Sequence, residues 1–268
     1  MKKTQFNIAF GNSQGLKNDA LIITEALQNI FNHQATIRLF SGADTKLTNI
    51  AKLLSLLFAR LTLKKQITFH LEEIYQEISY FSNENILIPN QEWLRSQTQK
   101  AINKNTHIWC KTHYAVKQLT HLNNRVSYLG FCSRDMNDET IQPDFNKFIH
   151  IAGKSEQKGT IPLLNVWQKH PEWPTLTVIS RREEHQHFSC ANINIIAEFI
   201  GEEELKELVN SHGVHICPSE SEGFGHNIVE ALSVGAIVLT TNAPPMNELI
   251  NFDTHCLIDF CNKEKRYF

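Results

Sequence analysis

Apolar positions in this chain follow two alternating rhythms. Short unbroken apolar runs, closed by glycine, proline or a polar cluster, read as buried strands. The stretches between them carry apolar residues at helical spacing. Residues 6–10 form the first run, 11–15 a glycine-flanked turn, 19–29 a helix with a stripe of Leu21, Ile22, Leu27 and Ile30, and 35–40 a second strand. Further strands are predicted at 66–70, at 85–88 (stopped by Pro89), at 107–110 and at 125–131, with a helix at 72–80 and a turn at Asn123-Asn124. The polar stretch 132–146 contains Pro143 and reads as a linker. The rhythm restarts at 148–152, with a helix through Leu163, Leu164, Val166 and Trp167, strands at 175–180 and 193–200, and a helix at 202–209. Strands alternating with helices predict an α/β chain of two Rossmann-like parallel-sheet domains, residues 1–131 and 147–268. Residues 47–63 are rich in leucine, with lysines and an arginine between. They fit a core or docking helix, or an amphipathic helix at a membrane surface.

The densest pattern lies at 213–250. Val214 to Cys217 is a strand-like run, Pro218-Ser219-Glu220-Ser221 breaks it, and Glu222-Gly223-Phe224-Gly225 leads into a helix with Ile228, Val229, Leu232 and Val234 near one face. Gly235 stops that helix, and 236–240 reads as another buried strand. Strand, glycine-rich turn, helix, strand is a parallel crossover. Its turn sits at a strand's carboxyl end and a helix's amino end, where ligands of open α/β sheets bind and where anions are favoured.

Taken together, Pro218-Ser219, Glu222-Gly-Phe-Gly, Glu230-Ala-Leu, Gly235, Thr240 and Glu248 resemble the donor-site signature of retaining glycosyltransferases of the GT-B fold. The resemblance implies two Rossmann-like domains facing across a cleft, the amino-terminal one for the acceptor and the carboxyl-terminal one for a nucleotide-sugar donor. It implies that Glu222 contacts the donor sugar and Glu230, with seven residues between the two, the nucleotide ribose. Gly223, Phe224, Gly225, His226 and Asn227 would line the donor through the first turn of the helix, and Thr240 either helps line the nucleotide pocket or simply ends a strand. The segments 88–93 and 110–112 also look like stretches of one bacterial-type branch of that family.

Two lysines add to the picture. Gly153-Lys154-Ser155 and Lys158-Gly159 open a helix after a strand, where lysines neutralise a diphosphate as point charges. In similar enzymes a Gly-Arg and a Lys-Gly stand here, so Lys158 is expected to stabilise the leaving group and Lys154, in the arginine's place, to bind donor. Gly15 is either a tight turn or, by the resemblance, part of a loop facing donor phosphates or acceptor. His70, at a strand end, is either a structural histidine or a group near the donor sugar. Glycosyl transfer with retention is the reaction implied, without a metal ion or other cofactor. His185, His187 and Cys190 lack a second ligand pair at metal-site spacing.

Composition narrows the partners. A net charge of −2 supplies no basic field for nucleic acid. The partners expected are a nucleotide-sugar donor and a glycan or lipid-linked acceptor, with a peripheral membrane contact through 47–63. Six scattered cysteines without a CxxC pair suggest a reducing cytosol. The amino terminus shows no sustained apolar segment of the kind a signal peptide needs, so a cytoplasmic location is expected. The chain also looks shortened at its carboxyl end, which raises the alternative of a truncated, non-catalytic nucleotide-sugar-binding remnant.

Overall fold

The structure, a computed structural model, describes residues 4–61, 65–123, 125–188, 190–250 and 257–261. The chain divides into two compact units, 1–131 and 132–266.

Unit one is a six-stranded parallel sheet of order β2-β1-β3-β4-β5-β6. Its elements are β1 (Thr4–Phe10), α1 (Gln14–Ile30), β2 (Thr36–Ser41), α2 (Lys46–Leu61), β3 (Lys65–Leu71), α3 (Gln76–Ser79), β4 (Glu84–Ile88), α4 (Ser96–Ala101), β5 (Thr106–Cys110), α5 (His113–Leu119) and β6 (Val126–Tyr128). Unit two is a second six-stranded parallel sheet, of order β12-β11-β10-β7-β8-β9. It contains β7 (Asp144–Gly153), α6 (Thr160–Gln168), β8 (Leu176–Ser180), β9 (Ile193–Ile196), α7 (Glu202–Ser211), β10 (His212–Cys217), α8 (His226–Ser233), β11 (Ile237–Thr241) and β12 (Leu257–Ile258). The α/β class and the two parallel sheets expected from the alternating rhythms are therefore present. Residues 132–143 belong to unit two, where Met136 is buried with Val209, Val234 and Ala236.

Several local expectations need correction. The first helix starts at Gln14 because Ser13 caps it, its hydroxyl accepting from the Leu16 amide at 3.2 Å. Gly15 is thus in the first helical turn, with no neighbour within 4 Å of where a Cβ would stand. The buried face is Leu16, Ala20, Ile23 and Leu27, which fall on one side at helical spacing, and Leu21 and Ile30 are exposed. The helix expected at 72–80 shrinks to Gln76–Ser79. Glu72 has a left-handed φ of 70°, and the Glu73 amide turns back to the Leu71 carbonyl, so helical bonding cannot start before Tyr75. The strands expected to reach Phe131 and Ile200 stop at Tyr128 and Ile196. Asn124, residues 251–256 and the segment from 262 on, where the turn and the carboxyl-terminal shortening were read, lie outside the described residues.

A buried ion pair ties unit one together. Lys111 Nζ lies 2.5 Å from Asp19 Oδ2, and both side chains are almost fully enclosed. The same ammonium donates to Asn90 Oδ1 at 2.8 Å and stands 5.0 Å from the Phe131 ring centre. The segments 88–93 and 110–112 are thereby joined through Asn90 and Lys111.

Candidate functional site

The site is built at the carboxyl ends of β7 and β10, neighbours in the second sheet. β7 ends on Gly153 at φ 60°, and the loop to α6 closes on Gly159 at φ 65°. β10 ends on Cys217, and the loop to α8 closes on Gly225 at φ 108°. Only glycine takes these conformations without strain. At Gly159 a second constraint applies, since a Cβ there would stand 2.1 Å from the Pro218 carbonyl oxygen. The two loops therefore touch backbone to backbone, and the Glu220 amide donates to the Gln157 carbonyl at 2.8 Å.

This contact brings together Lys158 and Glu222. Lys158 Nζ lies 2.5 Å from Glu222 Oε1 and donates to Asn227 Oδ1 at 3.0 Å. Ser219, fully buried, donates its hydroxyl to the same Glu222 oxygen at 2.6 Å. Asn227 Nδ2 is enclosed and faces the buried Cys217 thiol. Burial pushes that thiol up to about 12, which makes it inert at neutral pH. Both helices that open on this cluster, α6 and α8, start on a left-handed glycine with no capping side chain. Their first N–H groups lack intrahelical acceptors, and both dipoles favour an anion in front of them.

His150 couples the two loops from beneath. Its Nδ1 meets the Ile216 carbonyl at 2.8 Å and its Nε2 meets Thr160 Oγ1 at 2.8 Å. A carbonyl only accepts, so Nδ1 carries the proton, and Nε2 accepts from the threonine hydroxyl. Desolvation holds this ring neutral, with its pKa lowered to about 4. A histidine in the otherwise apolar run 148–152 was the available signal for this residue, which sequence reasoning passed over.

The remaining expected residues are placed as follows. Gly223, Phe224 and Gly225 are buried in the turn, and Phe224 meets the His226 ring edge-on at 5.3 Å. His226 Nδ1 lies 2.7 Å from Ser133 Oγ. Glu230 is half-buried, and desolvation raises its carboxyl above the ordinary range, opposed by His226, Arg134 and Lys158. Thr240 is fully buried, and its hydroxyl is spent on the Cys217 carbonyl at 2.8 Å, so it joins β11 to β10. Lys154 is exposed, and its ammonium has no partner among the described residues. In unit one, His70 is fully buried. Its Nδ1 accepts from the Tyr75 amide and its Nε2 donates to Asn85 Oδ1, with the pKa lowered to about 4 by desolvation. Neither nitrogen has a bond to spare. Ser133 and Arg134 were not foreseen; both lie in the stretch read as a linker, while Ser219 belonged to the quoted signature without an assigned role.

The glycosyl transferases group 1 family model matches residues 135–265, which contain Lys158, Ser219, Glu222, Asn227 and Glu230. The fold is that of the GT-B glycosyltransferases. The catalytic domain of starch synthase IV from Arabidopsis thaliana, bound to ADP and acarbose, superposes with a TM-score of 0.63 at 10% identity, over 94% of this chain and 86% of that one. HepE of Anabaena, in complex with UDP-glucose, gives 0.58 at 14% identity over 92% and 83%. A curated relative, an uncharacterized glycosyltransferase 335 of Sulfolobus islandicus rod-shaped virus 1, is 27% identical over 135 residues. The match covers 47% of this chain and 40% of that protein's length.

Proposed function

We propose that this chain transfers a sugar from a nucleoside diphosphate sugar to an acceptor, with retention at the anomeric carbon. The observation that carries the reading is Lys158, held by Glu222 and Asn227 between the starts of α6 and α8. A diphosphate placed there meets one ammonium and two sets of helix N–H groups. These stabilise the charge that grows on the leaving group as the anomeric C–O bond breaks. Lys158 and the helix N–H groups supply this positive charge without a divalent ion. Glu222 accepts hydrogen bonds from sugar hydroxyls, and Glu230, about one turn along α8, takes the ribose. Retention is supported by the resemblance of the 213–250 segment to the donor-site signature of retaining glycosyltransferases. Lys154, exposed at the edge, reaches the donor only if its side chain swings in.

For the acceptor we propose a glycan or lipid-linked molecule, bound by unit one. Leu47, Ile50, Leu54, Leu57 and Phe58 of α2 are all exposed and fall within about 100° of arc, which supports a peripheral contact with an apolar surface. No helix among the described residues is long and apolar enough to cross a membrane. The test is calorimetry with UDP, ADP and their glucose conjugates, with and without chelator. Binding that survives chelation is expected; strict dependence on a divalent ion would overturn the metal-independent reading.

A further inference from the structure

Residues 133–138 form a strap along α8 and α7. Ser133 Oγ meets His226 Nδ1 at 2.7 Å, and the Met136 amide donates to Ser233 Oγ at 3.0 Å. Asn210 Nδ2 donates to the Met136 carbonyl at 2.8 Å, and the Asp138 amide donates to Asn210 Oδ1 at 2.9 Å. His226, Glu230 and Ser233 are spaced to share one face of α8. The strap is anchored at both ends of that face, and Arg134 stands between the anchors. Its Nη1 donates to Glu202 Oε1 at 2.6 Å, while its Nε is closed to solvent and has no acceptor. The Glu230 carboxylate has no hydrogen bond among the described residues. The charges that face it are His226 on its own helix, Arg134 on the strap and Lys158 on the β7–α6 loop, with Glu202 of α7 pairing Arg134 from the far side.

We infer that Arg134, carried on the strap that crosses the His226–Ser233 face of α8, is a positioning residue for the nucleotide: its guanidinium supplies a fixed cation facing the Glu230 carboxylate that would take the ribose of a nucleoside diphosphate. This rests on the reading of Glu230 as the ribose carboxylate. Burial alone drives a carboxyl toward its neutral form, which would turn a two-oxygen acceptor into a partial donor and weaken its hold on a vicinal diol. A fixed cation next to it opposes that drift. Arginine suits the task because a guanidinium keeps its charge, and Nη1 is already anchored by Glu202.

The test measures UDP and ADP affinity from pH 8 to pH 4.5 by calorimetry, on the full chain. Binding falls on the acid side as Glu230 protonates. Arg134→Gln is expected to move that acid limb up by about one pH unit and to weaken binding at pH 7, while Arg134→Lys keeps the limb near the wild-type position. A merely structural arginine would lower stability without moving the limb, and that result overturns the inference. Glu230→Gln separates the two readings. If it leaves affinity intact, the ribose assignment itself fails. If it weakens binding but Arg134→Gln leaves the limb in place, only the role of Arg134 fails. Should Arg134→Gln not fold, the exposed Glu202→Gln decides. Losing that counter-charge strengthens the field of Arg134 on Glu230 and should move the limb to lower pH; an unmoved or raised limb overturns the inference.

Discussion

Lys158 Nζ and Glu222 Oε1 lie 2.5 Å apart, although the two residues are 64 positions apart in the chain. They meet because the β7–α6 and β10–α8 loops are pressed together at Gly159 and Pro218. A cation that would receive a diphosphate is therefore already held by an acid that would receive the sugar. Lys158→Met should remove a charge-assisted contact worth about 1.5–3 kcal/mol and weaken UDP or ADP binding at least tenfold. Equal affinity in the variant, by calorimetry, would remove Lys158 from the site.

The glycine contact predicts a contrast between two substitutions. Gly153 and Gly159 both have positive φ, so alanine costs about 1–2 kcal/mol at either position from backbone conformation alone. Only at Gly159 would the new Cβ also meet the Pro218 oxygen, whereas at Gly153 nothing lies within 4 Å. Gly159→Ala should therefore destabilise unit two more than Gly153→Ala does and should also weaken diphosphate binding by displacing Lys158. Urea melts of the two variants, read beside their UDP titrations, check the order.

Three of the five buried histidines among the described residues have the largest effect on the acid side of stability. His70, His150 and His215 each have a pKa lowered to about 4, chiefly by desolvation. In the unfolded chain they titrate near 6.5, so between pH 6.5 and 4 the unfolded state binds more protons than the folded one. Their contribution is complete above pH 6.5 and is lost as pH falls through that window, at up to about 1.4 kcal/mol per pH unit for each residue. The urea midpoint should drop between pH 7 and 5, and replacing His215 by a neutral residue should flatten the slope. A midpoint that stays constant over this range would contradict the neutral assignments.

Much of this was legible in the sequence, and the part that was not has a physical cause. The alternating apolar runs gave both parallel sheets, because buried parallel strands are nearly continuous in Val, Ile and Leu. Glu222, Asn227 and Gly225 were singled out by the resemblance, and Lys158 also by its place between a strand end and a helix start, yet their mutual contacts were not, since loop-to-loop approach depends on φ values at Gly159 and Gly225. The face of α1 was misread, and its start was placed five residues late, without the Ser13 cap. Arg134 carried no signal at all: a polar stretch between two rhythmic halves looks like a tether, and only packing on α8 shows otherwise.

In unit one the Lys111–Asp19 pair is enclosed on both sides. Removing one partner leaves a buried charge without its counter-ion, which costs about 3–5 kcal/mol. Lys111→Met should therefore lower the stability of unit one by that amount while leaving UDP affinity, carried by unit two, within a few-fold of wild type. A stability change below about 1 kcal/mol in a urea melt would contradict the buried pairing.

The central claim is that Glu222 orients the donor sugar while Lys158 holds the diphosphate. Glu222→Gln keeps the size of the side chain and removes the charge that competes for Lys158. Steady-state transfer with the best donor, measured beside UDP or ADP affinity in the same preparation, tests the claim most directly. The account predicts that transfer falls by about 10²-fold or more while nucleoside diphosphate affinity is unchanged or higher. Transfer at the wild-type rate, or a loss of nucleotide affinity as large as the loss of transfer, would contradict it.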